Sequence, residues 1–386
     1  MRSEKDFILS YCCPLPLEEF YKSKVVTFPE SLSRQMFCIR GYDKHQEIPR
    51  RPQSIIYQMD RDIVQQEALK EDGEHSKLWC YEQALEIVIE NMGADKIQSI
   101  ILLSPESKPT NVQAKEKKFL EMENLTLIIG NVQFHGHLEF LPNGFRQLDW
   151  DKYPFSWWPA EFFPKKLVVL KMYLNLSVIY VNSFKSVRYV DFSSCKLIRK
   201  IPDLSLAPNI KELYISCCEN LVEVDDSMGR LDKLEVLDVS HCDKLQALPS
   251  CLKMKSLRYF GIFGCWRLKK FPNILHEMKG IRELQLGKTE VIHLPRSIYN
   301  LQHLETLILE GNIIFPKGFS NYGFPRLRNL FLYCLTNRSE IDFIFNCCCP
   351  RTLEVLEIGS CKKIVSLPES ISRFERLHRL REKMAH

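Results

Sequence analysis

The sequence predicts a leucine-rich-repeat solenoid, an α/β fold in which short strands stack into one curved parallel sheet. The prediction depends on a hydrophobic word, L-x-x-L-x-L, that recurs eight times with successive copies starting 23 to 26 residues apart. The last two apolar residues of the word lie two apart, so on a strand both point into the core. The eight copies are Val187-Val190-Phe192, Ile210-Leu213-Ile215, Leu234-Leu237-Val239, Leu257-Phe260-Ile262, Ile281-Leu284-Leu286, Leu304-Leu307-Leu309, Leu327-Leu330-Leu332 and Leu353-Leu356-Ile358.

Upstream of this array, helical spacing gives way to strand spacing. Apolar residues three and four apart predict one helix from Ile55 to about Leu69 and a second from about Tyr81 to Asn91. A strand from Ile97 to Leu103 and a first irregular repeat from Leu120 to Ile129 are expected to follow. Two aromatic-rich words starting at Phe145 and Leu167 bring the total to about eleven repeats.

These patterns divide the chain into four parts. Residues 1–53 carry no clear periodicity, 54–95 are expected to be a small helical, winged-helix-like segment, 96–380 form the repeat domain and 381–386 are a tail. The basic stretch from Arg373 to His386 suggests a short terminal helix. The return segments, which contain apolar-Pro pairs, should be irregular or short-helical on the convex side, because proline lacks the backbone donor that a ladder needs.

Five of the fifteen cysteines fall eight residues after the start of their own word. Residues at a fixed phase of a solenoid stack above one another, so we interpret these as a column of reduced, buried thiols. The triplet Cys347-Cys348-Cys349 lacks zinc-ligand spacing, and no metal is expected. The five column cysteines are Cys195, Cys218, Cys242, Cys265 and Cys361.

Composition narrows the functional classes. A net charge of +5 with scattered Lys and Arg disfavours a dedicated nucleic-acid binder, and no apolar run is long enough for a membrane span. The N-terminus lacks the apolar core of a secretory signal, so we expect a cytoplasmic protein, with the nucleus as an alternative compartment.

The outward strand positions of the concave face are the candidate partner-binding site. Large aromatic side chains there suggest an interface, because interface cores are rich in Tyr, Phe and Trp. Lateral packing of these rings on one another is the open alternative. The Trp150, Trp157 and Trp158 cluster is interpreted as core filling. The candidate binding residues are Tyr189, Asp191, Tyr214, Asp238, Tyr259, Phe263, Phe331 and Tyr333.

The chain resembles the plant intracellular disease resistance proteins of the Toll/interleukin-receptor nucleotide-binding leucine-rich-repeat class. The resemblance runs from about residue 54 to the end and implies the end of a nucleotide-binding region followed by repeats. The matching segments are Ile55–Glu67, Ser76–Trp79, Asp95–Ile100, Leu141–Trp150, Tyr153-Pro154 and Pro164–Leu167.

Two departures from this class bear on cofactors. Pro52-Gln53-Ser54 replaces the Met-His-Asp triplet with which the class senses its nucleotide. Gly287-Lys288-Thr289 lacks the earlier glycine of a phosphate loop and follows a repeat strand. We therefore expect no cofactor in this chain; ADP or ATP is expected only in an intact receptor.

The resemblance implies a non-enzymatic recognition module in plant immunity. Its concave face would bind a pathogen effector, a host protein guarded by the receptor, or the receptor's own nucleotide-binding region. The chain is expected to be a fragment, a truncated paralogue or a decoy. Two alternatives stay open: an ADP/ATP-dependent immune switch, if a nucleotide-binding domain lies upstream, and an extracellular ligand receptor.

Overall fold

The segments that the computed structural model describes all lie within residues His75–His386. The segment 1–53, the predicted helix from Ile55 to Leu69, and Trp157 and Trp158 lie outside the described residues. Those described are 77–78, 81–90, 97–102, 111–112, 122–125, 127–130, 133–134, 140–150, 159–172, 184–275, 278–318, 323–336, 338–361 and 367–383.

One parallel sheet of 14 strands dominates this unit, and its strands lie side by side in chain order. Each strand therefore belongs to one coil of a solenoid, as predicted. The strands, β1 to β14, are Lys77–Leu78, Ser99–Leu102, Leu127–Gly130, Gln147–Trp150, Val169–Met172, Tyr189–Asp191, Glu212–Tyr214, Val236–Asp238, Tyr259–Phe263, Glu283–Gly287, Thr306–Glu310, Asn329–Tyr333, Val355–Gly359 and Arg379–Lys383.

The hydrophobic word sets the core as the sequence predicted. All three apolar residues of each of the eight words are at most 3% exposed. The strands pair in register word on word, with Leu213 opposite Val190 on one side and Leu237 on the other. Full burial of such an aliphatic side chain contributes about 1.5–3 kcal/mol, so the stacked words are a large source of apolar stabilisation.

The array begins earlier than the eleven predicted repeats. Ile97, Ile100 and Leu102 form a buried word of their own around β2, which the sequence analysis recorded only as a strand. The strand β1 pairs with β2, and helix α1, Tyr81–Glu90, connects them, close to its predicted limits. Helix α1 buries Ala84 and Val88 in the common core. The predicted division at residue 95 stays a prediction.

The predicted terminal helix is wrong over residues 379–383. There the chain forms β14, which pairs in parallel with β13 through Leu380 opposite Leu356. The helical turn of this region is confined to Glu369–Arg373 and is of the 3-10 type. In the final word, Leu377-x-x-Leu380-x-Glu382, glutamate replaces the third apolar residue. The hydrophobic pattern therefore did not predict this strand.

The return side is built from short elements, as predicted. It contains 3-10 helices at Asp226–Arg230, Arg296–Asn300 and Glu369–Arg373, and one α-helix, α2, at Arg338–Cys347. Pro295 and Pro368 occupy the N-cap positions of two of these turns, where the missing backbone donor costs nothing. Pairs of two-residue strands, such as Lys200–Ile201 with Glu223–Val224, link neighbouring coils.

The cysteine column is present and its thiols are reduced. Cys195, Cys218, Cys242 and Cys265 are fully buried, and each thiol donates to a carbonyl oxygen of the preceding coil at 3.1 to 3.2 Å. Cys361 is also buried but donates within its own coil, to Gly359. Burial raises the pKa of the Cys218, Cys242 and Cys265 thiols, which keeps them protonated and able to donate.

A left-handed residue ends every strand segment from β6 to β13. At this one phase, φ lies between 49° and 95° in eight successive coils, six of which use a residue other than glycine. In five of these coils the next residue is the column cysteine. The eight residues are Ser194, Cys217, His241, Gly264, Lys288, Gly311, Cys334 and Ser360.

Candidate recognition face

The outward side chains of β4 to β13 form a continuous surface, here called the strand face, on the side that the sequence predicts to be concave. At its N-terminal end, the rings of Tyr189 and Tyr214 pack 5.5 Å apart. The Tyr214 hydroxyl donates to Glu212 at 3.0 Å, and the Lys171 ammonium lies 5.3 Å from the centre of the Tyr189 ring. Tyr214 is 7% exposed, whereas Tyr189 is half-buried.

Asp191 and Asp238 serve the backbone of their own coils. Each carboxylate accepts a hydrogen bond from the backbone N–H two residues on, that of Ser193 or Ser240, at 3.0 Å. Both side chains are buried, with Asp238 only 2% exposed. These bonds close a small Asx-type turn just before the left-handed residue. A partner-binding role for the two carboxylates stays a prediction.

The middle of the strand face is built around Phe263, which is half-buried. The His241 ring lies 5.8 Å from the Phe263 ring, and the Lys288 ammonium lies 5.2 Å from its centre. The same ammonium is 3.7 Å from Glu310. Burial, together with the charge of Lys288, lowers the His241 pKa to about 4. The imidazole is therefore neutral at pH 7, and Lys288 is the cation of this cluster.

Two further strands complete the face. Tyr333 is half-buried and its hydroxyl donates to Glu357 at 3.3 Å, while Phe331 is 7% exposed. On β10, Gln285 donates to Glu283 at 2.8 Å. Burial raises the Glu283 pKa to about 7, against the hydrogen bond from Gln285, which lowers it. The sequence analysis gave this buried polar pair no role.

The expectation that the candidate aromatic rings face solvent is wrong for three of the six. Tyr214, Tyr259 and Phe331 are 7%, 3% and 7% exposed. Of these, Tyr214 packs laterally on Tyr189. Phe263 and Tyr333 keep accessible surface. Half-buried residues that the prediction did not include lie between them, and only knowledge of their neighbours could have identified them. These are Thr306, Ile308 and Asn329.

The parallel sheet and the buried, recurring word define a leucine-rich-repeat protein. The InlJ functional domain of Listeria monocytogenes, described as including a cysteine ladder, superposes with a TM-score of 0.54 at 15% identity, covering 74% of this chain and 58% of that one. This similarity shows the fold alone. No protein-family model matches the chain.

Over most of its length the chain is related to plant disease resistance proteins of the Toll/interleukin-receptor nucleotide-binding leucine-rich-repeat class. It is 26% identical to TMV resistance protein N of Nicotiana glutinosa over 379 residues, which is 97% of this chain and 30% of that protein. It is 30% identical to disease resistance protein RPS6 of Arabidopsis thaliana over 333 residues, 83% of this chain and 29% of RPS6. The chain thus spans about a third of the length of these relatives.

The described segments also bear on metal binding and on membrane insertion. Within those segments, no three or more His, Cys, Asp and Glu side chains are grouped so that they could hold a metal ion. In the same part of the chain, no helix is both long and apolar enough to cross a membrane.

Proposed function

We propose that this chain is a non-enzymatic protein-recognition module of a plant immune receptor, acting in the cytoplasm or the nucleus through its strand face. The observation that carries the proposal is the ordered strand face itself, on which Phe263 and Tyr333 remain accessible beside fixed charges. Relatedness to disease resistance proteins supports the setting in plant defence. The partner would be a pathogen effector, a guarded host protein or a receptor's nucleotide-binding region.

The physical basis is that a parallel sheet held by a buried ladder fixes its outward side chains before any partner arrives. A pre-ordered surface loses little conformational entropy on binding, so moderate contacts suffice for affinity. Aromatic side chains flanked by charges combine apolar area with directional contacts, the combination typical of interface hot spots. Lys288 beside Phe263 and Glu357 beside Tyr333 give two such centres on the strand face.

The test compares two double variants in binding to a panel of purified plant-pathogen effectors and to the nucleotide-binding region of RPS6. Phe263→Ala with Tyr333→Ala removes accessible rings from the strand face. Trp266→Ala with Ile292→Ala removes comparable apolar area, because both side chains are 54% exposed away from that face. We expect the Phe263→Ala, Tyr333→Ala variant to bind a partner with an affinity that is lower by about tenfold or more. A partner whose binding is lost only in the Trp266→Ala, Ile292→Ala variant would contradict the proposal.

The nucleotide-dependent switch and the extracellular receptor stay predictions. A nucleotide-binding measurement on the full receptor would address the first, and detection of a glycan the second.

A further inference from the structure

The edge at which β4 to β8 begin carries a basic surface, distinct from the strand face. It lines an open groove of about 640 Å³, here called the basic groove. Six of its nine lining residues are cationic and none is acidic or aromatic. The lining residues are Arg146, Lys166, Val168, Lys185, Ser186, Arg188, Asn209, Lys211 and Lys233.

The solenoid places these side chains in two columns. Arg146, Arg188 and Lys211 each directly precede a strand, and their backbones are joined coil to coil. Val168 N–H donates to the Arg146 carbonyl at 2.8 Å, Arg188 to Val168 at 2.9 Å and Lys211 to Arg188 at 2.7 Å. The second column directly precedes the first apolar residue of each word, and Lys185 lies one residue before this column. Its members are Lys166, Ser186, Asn209 and Lys233. The spacing of the charges is therefore fixed by the backbone.

Neutral side chains hold the floor of the groove. The Asn209 amide donates to the Lys185 carbonyl at 2.6 Å and accepts from the Lys233 ammonium at 2.5 Å. The Ser186 hydroxyl donates to the carbonyl of Lys165 at 2.7 Å. These hydrogen bonds fix the Asn209 and Ser186 side chains and leave the positive charge of the groove in place.

Only one carboxylate in the described part of the chain compensates this surface. Glu235 lies 2.8 Å from the Lys211 ammonium, and no ion pair engages Arg146, Lys166, Lys185 or Arg188 there. Further along the same edge, charges alternate instead. Arg282 pairs with Glu305, and Arg328 with Glu354. The absence of acids is thus a local property of the early coils.

The clustering of six cations in one groove gives this surface a positive potential. A surface of one charge sign attracts groups of the opposite sign and steers their approach. The cationic side chains are exposed, so each can reach a partner without a desolvation cost comparable to burial.

We propose that the basic groove is a second recognition surface, which binds an acidic polypeptide segment in extended conformation. Five coils line it, and strands stack about 4.8 Å apart, so the groove is about 19 Å long. An extended chain advances about 3.3 Å per residue, so the groove accommodates about six residues. Asn209 and Ser186 offer polar contacts to a peptide backbone. The lining carries no aromatic ring on which a nucleic-acid base could stack, which favours polypeptide over single-stranded nucleic acid.

The proposal goes beyond recognition by the strand face and can fail or succeed independently of it. The test measures, by fluorescence anisotropy, binding of the full chain to three labelled probes: an eight-residue Glu/Asp peptide, the corresponding Gln/Asn peptide and an eight-nucleotide single-stranded DNA. We expect the acidic peptide to bind and the neutral one not to bind. Affinity should fall as salt rises, because exposed charge pairs are screened.

Matched charge reversals locate the site. A triple variant should bind the acidic peptide about tenfold or more weakly than the parent does. It combines Lys166→Glu, Lys185→Glu and Arg188→Glu. Lys253→Glu, Arg258→Glu and Lys279→Glu make the same change in net charge at exposed residues outside the groove, and should weaken peptide binding less than about twofold. Equal effects of both triples, no peptide binding, or DNA bound more tightly than peptide and lost in the groove triple would each overturn the proposal. Circular dichroism confirms that both triples fold.

Discussion

The thiol of Cys242 donates a hydrogen bond to the carbonyl oxygen of Ile215 in the preceding coil, with 3.1 Å between sulfur and oxygen. The same bond recurs from Cys218 to Phe192 and from Cys265 to Val239. A buried carbonyl without a donor costs about 1–3 kcal/mol. These thiols therefore supply a hydrogen-bond donor to the carbonyl of the last inward residue of the preceding coil.

Removing one thiol should destabilise the solenoid. We expect Cys242→Ala to lower the free energy of unfolding by about 1–3 kcal/mol, because it leaves the Ile215 carbonyl without this donor and opens a small cavity. Urea denaturation followed by circular dichroism measures the change. Cys251→Ala is the matched control, since Cys251 is only half-buried and outside the column. An equal loss in both variants would contradict a special role for the column.

The left-handed residues offer a stabilising substitution. Ser194 has φ of 62°, a conformation that costs an L-residue about 1 kcal/mol and glycine almost nothing. We expect Ser194→Gly to leave stability unchanged or raise it by up to about 1 kcal/mol, while Ser194→Val lowers it by about 1–2 kcal/mol. Thermal melts of the two variants and the parent provide the measurement. A more stable valine variant would be the opposite of this expectation.

Glu283 should make the protein less stable as pH rises. Its folded pKa of about 7 lies above the ordinary 4.5, so between these values the folded state binds more protons than the unfolded state. Stability is therefore greatest below pH 4.5 for this group and falls until about pH 7. We expect Glu283→Gln to be more stable than the parent at pH 8 by about 2–3 kcal/mol. Chemical denaturation at pH 5 and pH 8 measures the difference, which should shrink at pH 5.

His241 should act in the opposite direction. Its folded pKa of about 4 lies below the ordinary 6.5, so acid favours the unfolded state, which binds the proton more readily. Stability from this group is full above pH 6.5 and decreases towards pH 4. We expect His241→Asn, a residue that tolerates the left-handed backbone, to flatten the loss between pH 6.5 and 4.5. A variant whose stability falls as steeply as the parent's would show that other groups dominate.

The repeat phase could be predicted from sequence because it is a local property. An apolar residue at every second strand position faces the core whatever the neighbouring coil contains. Leu213 and Ile215 can therefore be assigned to the core from the sequence alone. The same holds for the column cysteines, which share one phase. The strand at Ile97 was predicted, although its word, Ile97-x-x-Ile100-x-Leu102, was not counted as a repeat. The last strand, Arg379–Lys383, was missed because Glu382 stands where the word has its third apolar residue.

The accessibility of outward side chains could not be predicted in this way. Tyr259 and Phe263 belong to the same strand and both point outward, yet Tyr259 is 3% exposed and Phe263 is half-buried. Burial at such positions depends on the residues at the same phase in coils about 4.8 Å away and on the sizes of their side chains. Binding by either residue stays a prediction.

By itself, the sequence determined the coil, its period and which residues face the core, since these follow from alternation along a single strand. Only the tertiary structure decided which outward rings are covered and which early coils bring Arg146, Lys185 and Arg188 to one edge where no carboxylate of the described residues pairs with them. Both outcomes depend on stacking between coils that are 20 or more residues apart in sequence. The physical reason is that a side chain's solvent and charge environment is set by its neighbours in space.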